Sequence, residues 1–214
     1  MENSDIFNGY HEWYYNSNVW QTTTFMGTKC QKSVSDLWNY QEIIYNLKPS
    51  LIVEGGTANG GSALYFSLIL KTLTPMSKVL SVDIDHSIVA ESVKTNGHIE
   101  FLTGKVTDEY TLSRIKELRT ILNGPLFIIL DDDHSKSNVL AEMKALRNIL
   151  TSGDYLVVED SNINGHPVLP TWGEGPMEAI DEYFQIYPND YTRDIIREEK
   201  FGFTFAPKGF LIRN

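Results

Sequence analysis

The chain has 214 residues, 42% of them hydrophobic and 21% charged, and a formal net charge of −10. That length supports one well-buried core and is short for two, and the acidic balance argues against nucleic acid or an anionic membrane surface as a partner while suiting a bound cation or a cationic cofactor. Cys30 is the only cysteine, which excludes an intrachain disulfide; no apolar run approaches the roughly 20 residues that span a bilayer, and the start lacks a signal peptide's charged and apolar regions, so the cytoplasm is the expected compartment.

Residues 1–35 carry His11, Trp13, Tyr14, Tyr15, Trp20 and Phe25 without strand or helix spacing. They are expected to form an N-terminal arm, which covers the site, reaches a neighbouring subunit in a homodimer, or straps the core. Residues 36–214 are expected to form one domain. From Ser35, the positions Leu37, Tyr40, Ile43, Ile44 and Leu47 predict a helix that Pro49 stops. Apolar runs then follow at Leu51–Val53, Val79–Val82, Ile99–Leu102, Leu126–Leu130 and Tyr155–Val158, separated by helical patterns. This alternation predicts an α/β fold with a mostly parallel sheet and helices on both faces. Val139 to Leu150 predicts a helix, as does the segment opened by Pro176. Phe201–Phe205 and Gly209–Arg213 read as an antiparallel strand pair closing the sheet.

Open sheets of this type bind ligands beyond the carboxyl ends of their strands. The first strand runs into Glu54-Gly-Gly-Thr-Ala-Asn-Gly-Gly-Ser62, where glycines permit positive φ and close ligand approach and the following helix offers free N–H groups. Gly55, Gly56, Gly60 and Gly61 do not have the G-x-G-x-x-G spacing of a dinucleotide loop, and Gly61 stands where a triphosphate-binding loop needs lysine. Asp83, 29 residues after Glu54, ends the second strand, where an acid can accept hydrogen bonds from both ribose hydroxyls. A ribose reader without a phosphate cradle points to a nucleoside cofactor, and S-adenosylmethionine (SAM), a cation, suits an acidic pocket. Asp131-Asp-Asp-His134 and Glu159-Asp160 end the fourth and fifth strands. Carboxylates gathered there would repel one another unless a cation sits among them, and Mg²⁺ is the expected ion. His134 is a candidate general base, metal ligand or helix cap. Asn164 to Pro176, rich in glycine and proline and containing His166, reads as a lid or a plain surface loop.

Taken in order, Asp36-Leu-Trp-Asn-Tyr-Gln-Glu-Ile-Ile44, Lys48 to Ser62, Ser81-Val-Asp-Ile-Asp85, Leu130 to His134, Val157-Val-Glu-Asp160 and Asn164-Gly-His-Pro-Val168 resemble the cephalosporin-hydroxylase-like and rhamnosyl O-methyltransferase family. The resemblance implies a Rossmann-like class I methyltransferase fold, with a seven-stranded, mostly parallel sheet. It also implies that Glu54, Gly55, Gly56, Thr57, Asn59, Gly60, Ser62 and Asp83 hold SAM and that Asp131, Glu159 and Asp160 hold Mg²⁺. Two departures stand out. Glu-Gly-Gly-Thr replaces the Glu-Thr-Gly or Glu-Ile-Gly of relatives, and Gly104-Lys-Val-Thr-Asp108 replaces Gly-Asp-Ser, leaving Asp108 as the substitute reader of adenine. The implied reaction is Mg²⁺-assisted O-methylation of a small-molecule acceptor, a sugar or another polyol, with His134 or His166 removing the proton. A metal-free N-methyltransferase and a non-catalytic SAM-binding scaffold are the rivals. An iron hydroxylase would need two histidines and a carboxylate in an order absent here.

Overall fold

A computed structural model describes residues 3–214; the first two residues of the expected arm lie outside the described part. The chain runs through α1 (Asn3–Asn16), the hairpin β1 (Thr24–Phe25) and β2 (Thr28–Lys29), α2 (Val34–Leu47), β3 (Leu51–Gly55), α3 (Gly61–Leu73), β4 (Lys78–Asp83), α4 (Glu91–Lys94) and β5 (Ile99–Thr103). It continues through α5 (Glu109–Leu122), β6 (Leu126–Leu130), α6 (Lys136–Leu146), β7 (Tyr155–Val158), α7 (Pro176–Ile186), β8 (Tyr191–Arg193), α8 (Ile195–Glu199) and β9 (Phe210–Arg213).

Seven strands form one sheet in the order β5-β4-β3-β6-β7-β9-β8. The first five are parallel, and β9 runs antiparallel to both β7 and β8. Because alternate side chains leave a strand on opposite faces, buried strands read as continuous apolar runs. Leu126, Ile128 and Leu130 enter one core with Ile115 of α5, Met143 of α6 and Ile180 of α7. Phe127 and Ile129 enter the other with Tyr40 and Ile44 of α2 and Phe66 and Leu70 of α3. Helices thus cover both faces, as the alternation predicted.

Strand order reverses between β3 and β6, from which the chain winds outward in opposite directions. At that switch point the crevice lies beyond adjacent carboxyl ends, those of Gly55 and Leu130, paired in register. Asp131 N donates to Gly55 O at 2.9 Å and Glu159 N to Leu130 O at 3.0 Å, so the glycine turn and both acidic clusters share one rim.

Three expectations are corrected. The N-terminal region is not irregular: α1 packs Tyr10, His11 and Tyr14 against Phe203, with ring centroids 5.3, 4.9 and 5.4 Å apart. The partner of Gly209–Arg213 within the tail is Tyr191–Arg193, not Phe201–Phe205. The latter segment is drawn instead to the buried Asp36 carboxylate, which accepts from Thr204 Oγ1 at 2.6 Å and Phe205 N at 2.9 Å. The helix expected over Val139–Leu150 begins three residues earlier and ends at Leu146.

Candidate active site

A cavity of about 520 Å³ occupies the switch point. On one side it is lined by Gly56 and Ala58 of the turn after β3, Asp83 and Ile84 after β4, and Gly104 and Lys105 after β5. Asp131, Asp132, Asp133 and His134 after β6 and Asp160 after β7 supply the acidic part, and Trp20 and Gln31 come from the N-terminal segment.

The glycine turn is shaped by close backbone approach. A Cβ on Gly56, whose φ is +92°, would lie 2.0 Å from the Asp131 carbonyl oxygen. One on Gly61 would lie 2.2 Å from the Lys29 carbonyl oxygen. Gly61 therefore lets the strap after β2 cross the start of α3, which directs the next residues to the cavity. The turn also binds Asp83, whose Oδ2 accepts from Thr57 N at 2.8 Å and Ala58 N at 3.2 Å.

Other residues expected to hold the cofactor stand behind the cavity wall. Glu54 is fully buried; its Oε2 accepts from Ser81 Oγ at 3.0 Å while Oε1 has no partner. Burial, opposed by the Lys32 charge, pushes its carboxyl up to about 7. Ser81 Oγ lies 2.8 Å from Thr57 Oγ1, so Glu54 supports the turn from below. Ser62 is buried in the first turn of α3, Asn59 Nδ2 donates to Ile88 O at 3.2 Å, and Gly60, at φ +81°, starts the helix. Asp108 does not line the cavity; its carboxylate accepts from Lys105 N at 2.8 Å and fixes the turn that places Gly104 and Lys105 there.

At the acidic end, ligand atoms of Asp131, His134 and Asp160 lie within 4.8 Å of one another. His134 Nε2 is 3.1 Å from Asp160 Oδ2. Asp160 is held at φ +52°, a left-handed conformation that asparagine and aspartate tolerate better than most residues and that recurs at functional sites. Burial raises both the Asp131 and Asp160 carboxyls against the attraction of Lys32 and His134. For His134, burial disfavours the charged ring, but Asp160 and Asp131 outweigh it and raise its pKa.

Glu159, expected beside Asp131 and Asp160 as a metal ligand, is buried and engaged by Tyr40 OH and Lys32 Nζ, each 2.8 Å from Oε1. Lys32 also reaches Asp131. Burial works against this ammonium, yet Asp131, Glu159 and Glu54 hold its pKa well above the ordinary value. The convergent trio thus has His134, not Glu159, beside Asp131 and Asp160. His166 is elsewhere: it lines a separate cavity and its Nε2 is 2.8 Å from Glu178 Oε1. Asn164 Nδ2 donates to the same oxygen at 3.0 Å, tying the expected lid to α7. Gln31, Lys32 and Asn138 were not singled out from sequence; Trp20 was named only within the N-terminal arm and Asp132 only within the acidic run Asp131–His134.

The donor set fits a divalent cation. Four buried or half-buried carboxylates, Glu54, Asp131, Glu159 and Asp160, face one lysine and one histidine, and the convergent oxygens suit a hard ion such as Mg²⁺. The other side fits a nucleoside: an acid anchored on backbone N–H groups, a side-chain-free approach at Gly56, and the exposed apolar surface of Ile84.

A sequence profile described as rhamnosyl O-methyltransferase/CmcI matches residues 17–214. The chain is 53% identical over 205 residues to a rhamnosyl O-methyltransferase of Mycobacterium tuberculosis, covering 96% of this chain and 84% of that one. It is 53% identical over 204 residues to the one of Mycobacterium leprae, covering 95% and 89%. A solved structure of CmcI described as Mg-SAM aligns with TM-score 0.73 at 22% identity, over 91% of this chain and 77% of that one. The O-methyltransferase from Bacillus cereus in complex with SAH aligns with TM-score 0.55 at 16% identity, over 85% and 82%. The two structural matches show a shared fold, and the sequence matches show more: the chain belongs to the rhamnosyl O-methyltransferase/CmcI family.

Proposed function

We propose that the chain is a SAM-dependent, Mg²⁺-assisted O-methyltransferase acting on a hydroxyl of a sugar or glycoside. The observation that carries this reading is the single cavity in which the Gly56 turn and Asp83 stand beside the trio Asp131, His134 and Asp160. The sugar acceptor is supported by the relatives named rhamnosyl O-methyltransferase at 53% identity.

SAM supplies a methyl group on a sulfonium, and Mg²⁺ supplies positive charge that lowers the pKa of a hydroxyl. Asp83 takes the ribose, and Gly56 and Ala58 form the floor beneath the nucleoside. Asp131 and Asp160 would hold the ion, with Glu159 behind them paired to Lys32. His134, on the same rim, is placed to take the proton that the acceptor hydroxyl would give up on methylation. Asp160, 3.1 Å from His134 Nε2, orients the ring and stabilises it once charged. Holding donor and acceptor in line in such a site is worth about 7–11 kcal/mol of barrier.

Calorimetry with SAM tests the cofactor. Binding in the micromolar range supports the reading, and its absence at millimolar SAM refutes it. Tyr10, Trp13, Trp38 and Tyr45, exposed on α1 and α2, support a homodimer, which sedimentation at micromolar protein would test.

A further inference from the structure

We propose that Trp20 and Gln31 form the acceptor platform of the cavity, the indole face receiving the apolar face of a pyranose ring and the amide reading one of its hydroxyls. This rests on the sugar-methylation reading above. Both residues line the cavity, yet they belong neither to the strand-end turns that form the nucleoside wall nor to the acids at the ends of β6 and β7.

Trp20 is fixed before any ligand arrives. Its Nε1 donates to Tyr15 O at 3.1 Å, and its ring packs edge-on to Phe205 at 5.9 Å and 88° and against Tyr15 at 5.5 Å. The one polar atom of the side chain is consumed inside the protein, so what the cavity receives is rigid aromatic surface. Such surface binds apolar C–H faces at little entropic cost.

Gln31 lies on the strap between Cys30 and Lys32, both 2% exposed, and is itself only half-buried. Its neighbours turn into the protein while it turns to the cavity. Its amide makes no hydrogen bond within the described residues, although it carries two donors and an acceptor. A hydroxyl, both donor and acceptor, is its natural complement, and a neutral amide adds no charge to a cavity already lined by five aspartates. The adjacent Lys32 carries its ammonium onto Asp131, so Gln31 stands one residue from the contact to an acid that holds the reacting end.

The test is methyl transfer from labelled SAM to methyl α-L-rhamnopyranoside at saturating SAM and Mg²⁺, with SAM affinity measured by calorimetry. Trp20→Ala and Gln31→Ala are expected to raise KM for the rhamnoside about tenfold or more, with kcat changed less than about threefold and SAM affinity within about twofold. Trp20→Phe, which keeps an aromatic face, should recover most of the loss, and Gln31→Met, which keeps the shape, should not. A KM unchanged in both alanine variants overturns the platform, as does a parallel loss of SAM affinity. Should the parent protein bind SAM yet transfer nothing to the rhamnoside, the sugar-acceptor reading falls and the platform with it; transfer by the parent with unaltered variants refutes the platform alone.

Discussion

Glu142→Gln is expected to make the protein more stable at neutral pH. Glu142 lies on the buried side of α6, fully inaccessible, with no hydrogen-bond partner for either carboxyl oxygen. Burial, reinforced by the Asp132 charge, pushes its carboxyl from 4.5 up to about 10. At pH 7 the folded protein therefore keeps a proton that the unfolded chain has released. A raised folded pKa contributes stability that is complete below pH 4.5 and is lost as pH rises towards 10. Between pH 4.5 and 7 the loss accumulates at about 1.4 kcal/mol per pH unit, giving about 3 kcal/mol at pH 7. Glutamine has the same shape, carries no charge and offers an N–H to Asp132, so it removes this loss. For a chain of this size the gain corresponds to a rise in Tm of roughly 6–12 °C. Thermal or urea unfolding at pH 4.5 and pH 8 measures it, with nearly equal stabilities expected at the lower pH and a clear advantage for the variant at the higher. A variant no more stable than the parent at pH 8, or an advantage independent of pH, would refute the reasoning.

Lys32→Met leaves Asp131 and Glu159 without their buried countercharge and should cost about 3–5 kcal/mol. Thermal melts should show millimolar Mg²⁺ restoring part of that loss and stabilising the variant more than the parent; a variant as stable as the parent without Mg²⁺ contradicts the proposed charge balance. Gly61→Ala forces the strap carrying Lys29 away from α3, since the new Cβ would meet the Lys29 carbonyl oxygen at 2.2 Å. Faster proteolysis in the segment from Trp20 to Ser35 and a lower Tm are expected, and unchanged protection there would show that the strap does not depend on this crossing. Asp83→Ala should weaken SAM binding by about tenfold or more through loss of the ribose contacts, read by calorimetry, while leaving Mg²⁺ binding at Asp131 and Asp160 intact.

The central sheet was legible because its strands are buried on both faces, so Leu51–Val53 and Leu126–Leu130 appear as unbroken apolar runs that end in glycine or acid. The same pattern put Asp83, Asp131 and Asp160 at strand ends, and those three line the cavity. What failed depends on contacts far apart in sequence. The Phe201–Phe205 segment has strand composition, yet a carboxylate 168 residues away, that of Asp36, takes its hydrogen bonds. The true partner, β8, is three residues long, too short for a periodic signal. Lys32 sits in a polar strap with nothing local to mark it, and it meets Asp131 and Glu159 through a strap that crosses α3 at Gly61, a contact distant in sequence. Glu54, in β3, and Asn59, in the turn, flank Gly56, but direction decides which residue meets a ligand: Glu54 is buried against Ser81 and Asn59 binds Ile88.

The most direct test of the account is transfer of a labelled methyl group from SAM to a rhamnoside by the parent protein and by Asp131→Ala, each with Mg²⁺ and with EDTA. The account predicts transfer by the parent with Mg²⁺, its loss in EDTA and recovery on adding Mg²⁺, and transfer by the variant with Mg²⁺ at least about 100-fold below that of the parent with Mg²⁺. Full activity of Asp131→Ala, insensitive to chelator, would contradict it.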